Sequence, residues 1–414
     1  MSAVEGGAEQ HARENEDRLA TLLAAVREQA VVQETARRLL HEEVRGLADL
    51  GFGAARLPRA QGGAGLSLEE LFAQIIRISA ADANLGHVWR GHIAFVESLL
   101  SEGVDSPRAQ RWLPRLLRGE VIGNAQSEKR ELAELGTVLE RDGDRLLLTG
   151  VKFYTTGSIY ADWIHLAALD GDQRVALTVS AHADGVEIVD DWDGFGQPLT
   201  GSGTTRFDRV EVDPVDVVES GEDIARWHHL GSVFQLSLLA VVAGIVQRAH
   251  EDTIAFVQPR RRTFGFAGEV PPREDPLVQE VVGSLGGAAS AVRRIVLSLA
   301  RELEAAVSEG SEDTEVSEDT AATLQELQLE VFRAQRVVLE LALDATTRLF
   351  EVGGASAVSR DLALDRHWRN VRTIASHNPT VQRTRAVGQF DLLGTLPEWR
   401  APGAPERVEN GEGS

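Results

Sequence analysis

The sequence predicts a mainly α-helical protein with a central β-domain. Three observations lead to this class. Apolar residues recur at helical spacing in the first part of the chain, polar and apolar residues alternate in the middle, and long helical patterns return near the end. A chain of 414 residues suffices for two or three structural domains. We expect an N-terminal helical domain (1–120), a β-domain (121–225), a C-terminal bundle (226–398) and a disordered tail (399–414).

The first helices are predicted from apolar periodicity. Leu19, Leu22 and Val26 recur at helical spacing, and a second periodic run follows a Gly-rich loop. Ser67 followed by Glu70 forms the pattern of a capping box, in which each side chain bonds a free backbone N–H of the first turn. We therefore expect a helix to begin directly after Ser67.

The middle of the chain is predicted to form short strands. Asp142-Gly143 separates two alternating runs, and four more strand-like runs follow before residue 218. Short strands with frequent turns are typical of a small barrel or sandwich.

The C-terminal part contains three long periodic segments with broad apolar stripes and short connections, which predicts a helical bundle. The GSLGGA segment lies inside one of these helices, so its glycines are expected to allow close helix packing. The sequence shows no strand, Gly-rich loop and helix in succession, so no nicotinamide-binding unit is predicted.

Composition limits the partners and the compartment. The formal net charge is −22, which disfavours nucleic acid and anionic membranes. The chain has no cysteine, so thiolate metal sites and disulfides are excluded. His87 and His92 are five residues apart and do not share a helix face, so no metal site is expected. The polar, acidic N-terminus lacks a signal-peptide pattern, and we expect no apolar run long enough to span a bilayer. Together these two features indicate a cytoplasmic protein.

Several motifs, in a fixed order, resemble the acyl-CoA dehydrogenase superfamily from about residue 17 to residue 398. They are LPRAQGGAGLS, GNAQSE, GVKFYTTGSIYADW, WDGFGQPLTGSGTTRFDRVEV, EVGGASAVS and DRHWRNVRT. The resemblance implies the family fold, in which an N-terminal helical domain, a β-barrel or sandwich and a C-terminal four-helix bundle follow one another.

Within the superfamily, the last motif is similar to the branch of two-component flavin-dependent monooxygenases that includes dibenzothiophene monooxygenase. His377 and Asn378 stand in a position where many dehydrogenases carry a glutamate base. The resemblance implies reduced FMN as cofactor, with FAD as the alternative, and O2 as co-substrate. It also implies a separate NAD(P)H:flavin reductase, and transfer of oxygen from a flavin C4a-hydroperoxide to a sulfur, nitrogen or carbon centre of a small organic molecule.

The resemblance also implies site residues. Those with a catalytic role are His92, His377, Thr156 and Asn124, and those that bind the flavin are Asn124, Tyr154, Thr156, Trp192, Arg260, Arg262, Ser356 and Ser359. The alternatives are a core histidine for His92, turn chemistry for Asn124 and Thr156, core packing for the aromatic residues and a solvated loop for the arginines. Asn378-Pro379 predicts that a helix ends at His377.

Two other functions remain open at this stage. One is an acyl-CoA dehydrogenase or oxidase whose catalytic base has moved, and the other is an inactive relative that acts as a binding protein. A homotetramer is expected, because Arg260 and Arg262 resemble arginines that reach the flavin phosphate of a neighbouring subunit.

Overall fold

The N-terminal part of the computed structural model is helical. The structure describes residues 3–128, 136–219, 224–262, 270–310 and 318–396. The first six helices are α1 (Ala3–Ala36), α2 (His41–Asp49), α3 (Leu68–Ala81), α4 (Ala83–Val88), α5 (Arg90–Ser101) and α6 (Pro107–Leu117). The capping box is confirmed, since the Glu70 N–H donates to Ser67 Oγ while the Glu70 carboxylate accepts from the Ser67 N–H.

The central β-domain begins four residues after α6 ends. Its strands are β1 (Ile122–Ala125), β2 (Val138–Asp142), β3 (Arg145–Lys152), β4 (Trp163–Asp170), β5 (Gln173–Ser180), β6 (Val186–Val189), β7 (Thr204–Val212) and β8 (Val217–Glu219). They form one sheet in the order β6-β7-β3-β2-β4-β5-β8, and β1 pairs with β4 in parallel. Alternate residues of β3, β4, β5 and β7 point inward and form a separate apolar core. The predicted Asp142-Gly143 turn joins β2 to β3, with Gly143 at φ +62°.

The C-terminal part consists of α7 (Ile224–Val257), α8 (Pro276–Gly310), α9 (Glu318–Arg348), α10 (Asp365–His377) and α11 (Thr380–Leu393). α7 is the central helix and packs against α3, α8 and α9, so the N-terminal helices and the bundle share one large apolar core. α10 ends at His377, as Asn378-Pro379 predicts. The predicted tail, 399–414, lies outside the described residues.

Two helices correct one expectation from the sequence. α7 and α8 are both long and apolar enough, by length and composition, to cross a membrane, although no such segment was expected. The most apolar window of α7 is 83% buried inside the protein, because a helix at the centre of a bundle contacts other helices on all sides. The corresponding window of α8 is only 28% buried, so α8 lies nearer the surface than α7.

Candidate active site

A cavity of about 380 Å³ lies where α4 and α10 meet the loops of the β-domain. Its walls come from five segments that are distant in sequence. The lining residues are His87, Ser127, Tyr154, Thr156, Trp192, Gly194, Phe195, Gln197, Thr200, Ser202, Thr373, Ser376 and His377. Four of the predicted site residues, Tyr154, Thr156, Trp192 and His377, are therefore brought together.

Aromatic rings form one side of the cavity. Tyr154 and Trp192 meet edge to face, with their ring centroids 6.0 Å apart. Phe195 stacks on Trp368 of α10 with its centroid at 6.1 Å, and both of these rings are partly exposed. Tyr154, Trp192 and Phe195 thus give the cavity an aromatic, apolar side that can pack against a planar ring system.

A chain of hydroxyl groups forms the opposite polar wall. Thr200 Oγ1 donates to the Gln197 carbonyl at 2.9 Å, so its single proton is used there. Ser202 Oγ therefore donates to Thr200 Oγ1 at 2.8 Å, and Thr156 Oγ1 donates to Ser202 Oγ at 2.7 Å. With these donor directions, the Thr156 hydroxyl can only accept a hydrogen bond from a ligand in the cavity. If the donors and acceptors along the chain were exchanged, Thr156 would instead donate to the ligand.

Two residues that line this cavity have an unusual backbone conformation. Tyr154 and Gln197 are non-glycine residues in the left-handed region, with φ of +59° and +54°. Gln197 is held there because its N–H donates to Asn370 Oδ1 at 2.6 Å, and its side chain is buried. Strained conformations persist where surrounding contacts enforce them, and they are frequent at functional sites.

His87 is the first of two cavity histidines. Its Nδ1 lies 3.0 Å from Gln197 Oε1, so Nδ1 donates and Nε2 is left as an acceptor. Within the described residues, neither His87 Nε2 nor Gln197 Nε2 has a hydrogen-bond partner. Burial, followed by the charge of Arg90, lowers the pKa of His87 to about 4. The ring is therefore neutral at pH 7 and presents a free nitrogen to a ligand.

His377 is the second cavity histidine, and it is an exposed residue that lines the cavity. Its ring centroid is 6.2 Å from that of His87. An N–H of Arg90 points to His377 Nε2 at 3.4 Å, so the ring proton is on Nδ1. Removal from bulk water, followed by the charge of Arg90 and the nearby His87, lowers the pKa of His377 well below 6.5. Both cavity histidines are thus neutral.

His92 and Asn124 do not line this cavity. His92 is a core histidine whose nitrogens are both used, because Nε2 donates to the Gly53 carbonyl at 2.8 Å and Nδ1 accepts from the Ile122 N–H at 3.1 Å. Burial lowers its pKa to about 4. The Asn124 N–H donates to the Thr156 carbonyl at 3.3 Å, which places β1 beside the cavity. The geometry thus favours a positioning role for both residues, and their predicted catalytic roles stay predictions.

Arg260 and Arg262 line a second cavity, of about 920 Å³, together with Gly353 and Gly354. The Arg260 guanidinium lies over the Phe256 ring at 4.4 Å. Ser356 and Ser359 are exposed in the segment that follows these glycines. The two cavities share no lining residue, and Ser356 and Ser359 do not line the second one, so phosphate binding by these four residues stays a prediction.

Sequence reasoning missed several cavity residues. His87 was considered only as a metal partner, and Gln197, Thr200 and Ser202 were not singled out. One available signal was helical spacing, since Asn370, Thr373 and His377 lie at i, i+3 and i+7 on one face of α10. Gln197 carried no such signal, because its position depends on contacts with α4 and α10.

Comparison with known proteins gives two family matches. Residues 11–120 match the model described as acyl-CoA dehydrogenase, N-terminal domain, and residues 236–382 match the C-terminal domain of the same family. Together the two matches cover more than half of the chain and flank the β-domain.

Individual relatives cover most of the chain. Dibenzothiophene monooxygenase of Mycolicibacterium goodii is 27% identical over 372 residues, which are 86% of this chain and 88% of the relative. The probable FMNH2-dependent monooxygenase SfnC of Pseudomonas putida is 27% identical over 361 residues, or 85% of this chain and 88% of the relative. The crystal structure of FMN-bound TdsC from Paenibacillus sp. A11-2 superposes with a TM-score of 0.80 at 26% identity, covering 93% of this chain and 98% of that structure. The chain therefore belongs to the acyl-CoA dehydrogenase family and, within it, to the flavin-dependent monooxygenases.

Proposed function

We propose that the cavity around His87 and His377 is the site where a small organic substrate is oxygenated with reduced FMN and O2. One observation carries this proposal. Within the described residues, the cavity is lined by two neutral histidines, an aromatic pair and a hydroxyl chain, and by no carboxylate. An α-proton of a thioester would need a base such as a carboxylate, and the lining supplies none. The dehydrogenase alternative is therefore disfavoured.

The residues present fit a flavin ring. The Tyr154–Trp192 pair offers an apolar wall, and Thr156 offers a hydroxyl at the end of a reversible hydrogen-bond chain. The unpartnered His87 Nε2 and Gln197 Nε2 are buried polar atoms that gain a hydrogen bond when a ligand is present. When bound, reduced flavin supplies two electrons and the activation of O2.

The protein's own groups then hold protons and exclude water. His87 Nε2 can accept a proton from a reacting group, because Gln197 keeps the ring proton on Nδ1. His377 is held with its proton on Nδ1 by Arg90. Phe195, stacked on Trp368, adds an apolar ring to the cavity wall. This environment favours transfer to the substrate over release of H2O2.

The test is turnover under 18O2 with FMN, NADH, an unrelated flavin reductase and a panel of thioethers, sulfinates, amines and indoles. We expect incorporation of one 18O atom into a product, detected by mass spectrometry, and none when the reductase is omitted. Formation of enoyl-CoA from an acyl-CoA panel, without oxygen incorporation, would favour the dehydrogenase instead.

The electrons are proposed to come from a separate NAD(P)H:flavin reductase. The described β-domain is one mixed sheet whose strands are joined without crossover helices, so it offers no strand–loop–helix unit for a nicotinamide. We expect the purified protein with FMN to consume no NADH or NADPH, measured at 340 nm, until a reductase is added. Stoichiometric NADH consumption by the protein alone would contradict the two-component system. A cytoplasmic location, where NADH and flavin are available, is part of the same proposal.

We also propose a homotetramer in which α8 forms subunit contacts and the second cavity binds the flavin phosphate of a neighbouring subunit. The low burial of α8 supports this, and so do Gly283 and Gly287, because a Cβ at either position would meet nothing within 4 Å. Gly287→Arg should therefore fold as a protomer but lose assembly. Sedimentation velocity should give a tetramer for the wild type and a smaller species for this variant, whereas a monomeric wild type at micromolar concentration would contradict the proposal.

A further inference from the structure

Arg90 is a buried cation without an acidic partner. Its side chain is 8% exposed, and its Nε–H donates to the Phe234 carbonyl at 3.1 Å. The guanidinium carbon lies 4.6 Å from the centroid of the Phe234 ring, and the remaining contact is the one with His377. Among the described residues, no carboxylate forms an ion pair with Arg90. Burial lowers the pKa of its guanidinium to about 9, and no nearby carboxylate raises it again.

A second buried arginine in the same protein has the acidic partner that Arg90 lacks. Arg366 is 6% exposed, and it pairs with Asp252, which also contacts His367. Burial of an unpaired charge is expensive, so proteins normally pair buried charges with an opposite charge. Arg366 follows this rule with a residue of its own chain, and Arg90 does not. The counter-charge for Arg90 is therefore expected to come from a bound molecule.

The position of Arg90 indicates where that molecule binds. Arg90 follows His87 by three residues, at the start of α5, and does not itself line the cavity. One of its N–H groups lies 3.4 Å from His377 Nε2, and its charge lowers the pKa of both cavity histidines. Gln197 adds an unpartnered Nε2 donor at the same end of the cavity. This end thus combines one fixed positive charge, a free donor and two imidazoles that can each take up a proton when an anion is near.

We propose that the substrate carries a small anionic group, a sulfinate, sulfonate or carboxylate, which binds at the end of the cavity lined by His87, Gln197 and His377, next to the charge of Arg90. The identity of this ligand as the substrate rests on the proposed function. The binding itself does not, because it requires neither flavin nor turnover. A negative group here neutralises Arg90 and favours protonation of a neighbouring histidine, so binding draws a proton from solution.

The test is calorimetry on the full-length, flavin-free protein with benzoate, benzenesulfinate and benzamide, the last being a neutral molecule of the same shape as benzoate. We expect both anions to bind at least about 10-fold more tightly than benzamide, with proton uptake shown by different heats in phosphate and Tris buffers. Arg90→Met should remove this preference, and Arg90→Lys should retain part of it. Arg383→Met, which removes an arginine that lies over Phe332, is the matched control and should keep the full preference.

Two further readouts separate the outcomes. Arg90→Met should melt no lower than the wild type, since an unpaired buried charge is replaced by an apolar side chain of similar length. A lower melting temperature with an unchanged anion preference would assign Arg90 a structural role and overturn the inference. Weaker binding of reduced FMN by Arg90→Met, with the benzoate preference intact, would assign the charge to the flavin and also overturn it. In either case, oxygenation of neutral substrates would still support the proposed function.

Discussion

His87 and His377 lie on opposite sides of one cavity end and are held in different ways. Gln197 fixes the proton of His87 on Nδ1 and leaves Nε2 free, while Arg90 occupies the region around His377 Nε2. Two histidines whose pKa values are both lowered therefore offer different groups to a ligand. The environment of each residue, rather than its type, decides which one accepts a proton.

His377→Ala tests the role of the second histidine. We expect the variant to fold and to divert reducing equivalents from product to H2O2, because a positioned acid or base contributes roughly 10²–10⁴-fold in rate. The measurement is the product-to-peroxide ratio with a confirmed substrate, alongside the melting temperature. His228→Ala is the control, because His228 is a buried histidine that bonds Gln328 and does not line the cavity. A lower melting temperature with a wild-type ratio would show that His377 only completes α10.

The loop between β6 and β7 is the element that shapes the cavity. It carries Trp192, Gln197, Thr200 and Ser202, and it is tied to α10 because Arg369 donates to the Phe195 carbonyl at 2.8 Å and Asn370 accepts from the Gln197 N–H. Gly196 allows this close approach, since a Cβ there would lie 2.2 Å from the Arg369 carbonyl oxygen. The loop and α10 therefore hold the cavity as one unit.

Gly196→Ala should separate the loop from α10. We expect a loss of about 1–3 kcal/mol in unfolding free energy, as is typical of overpacking, together with weaker substrate binding. Gly388→Ala on α11 is the control, because a Cβ there meets nothing within 4 Å, and alanine favours a helix by roughly 0.5–1 kcal/mol over glycine. Urea unfolding and KM are the measurements. Equal stability of the two variants would contradict the close contact at Gly196.

For the whole molecule, buried histidines dominate the response to moderate acid. Burial lowers the pKa of His87, His92 and His367 to about 4, and that of His165 to about 3. The unfolded chain titrates near 6.5, so it binds more protons than the folded chain between pH 6.5 and about 4. Stability contributed by these groups is thus full above pH 6.5 and falls as the pH is lowered. Asp82 acts in the opposite direction, because burial raises its pKa to about 6.

We therefore expect the unfolding free energy to decrease between pH 6.5 and pH 5. Each buried neutral histidine contributes a slope of up to about 1.4 kcal/mol per pH unit. His92→Gln should be less stable at pH 7 but should reduce the slope by up to that amount. The measurement is urea unfolding at several pH values, with the exposed His182→Gln as control. A flat profile for the wild type would contradict the neutral state of these side chains.

Local patterns determined the order and type of the elements. Apolar periodicity identified the long helices, Ser67 and Glu70 marked the start of α3, Asp142-Gly143 marked the β2–β3 turn, and Asn378-Pro379 marked the end of α10. These features depend on residues a few positions apart, so they can be identified in one sequence. The motif resemblance added Tyr154, Thr156, Trp192 and His377 as cavity residues.

Only the tertiary structure decided which histidines line the cavity and that the charge of Arg90 lies next to His377. His87 and His92 are five residues apart on adjoining helices, yet one lines the cavity and the other bonds Gly53 and Ile122 in the core. Arg90 and His377 are separated by 287 residues, and they meet only because α10 packs beside the junction of α4 and α5. Side-chain direction and electrostatic environment depend on such long-range packing, which carries no local sequence signal.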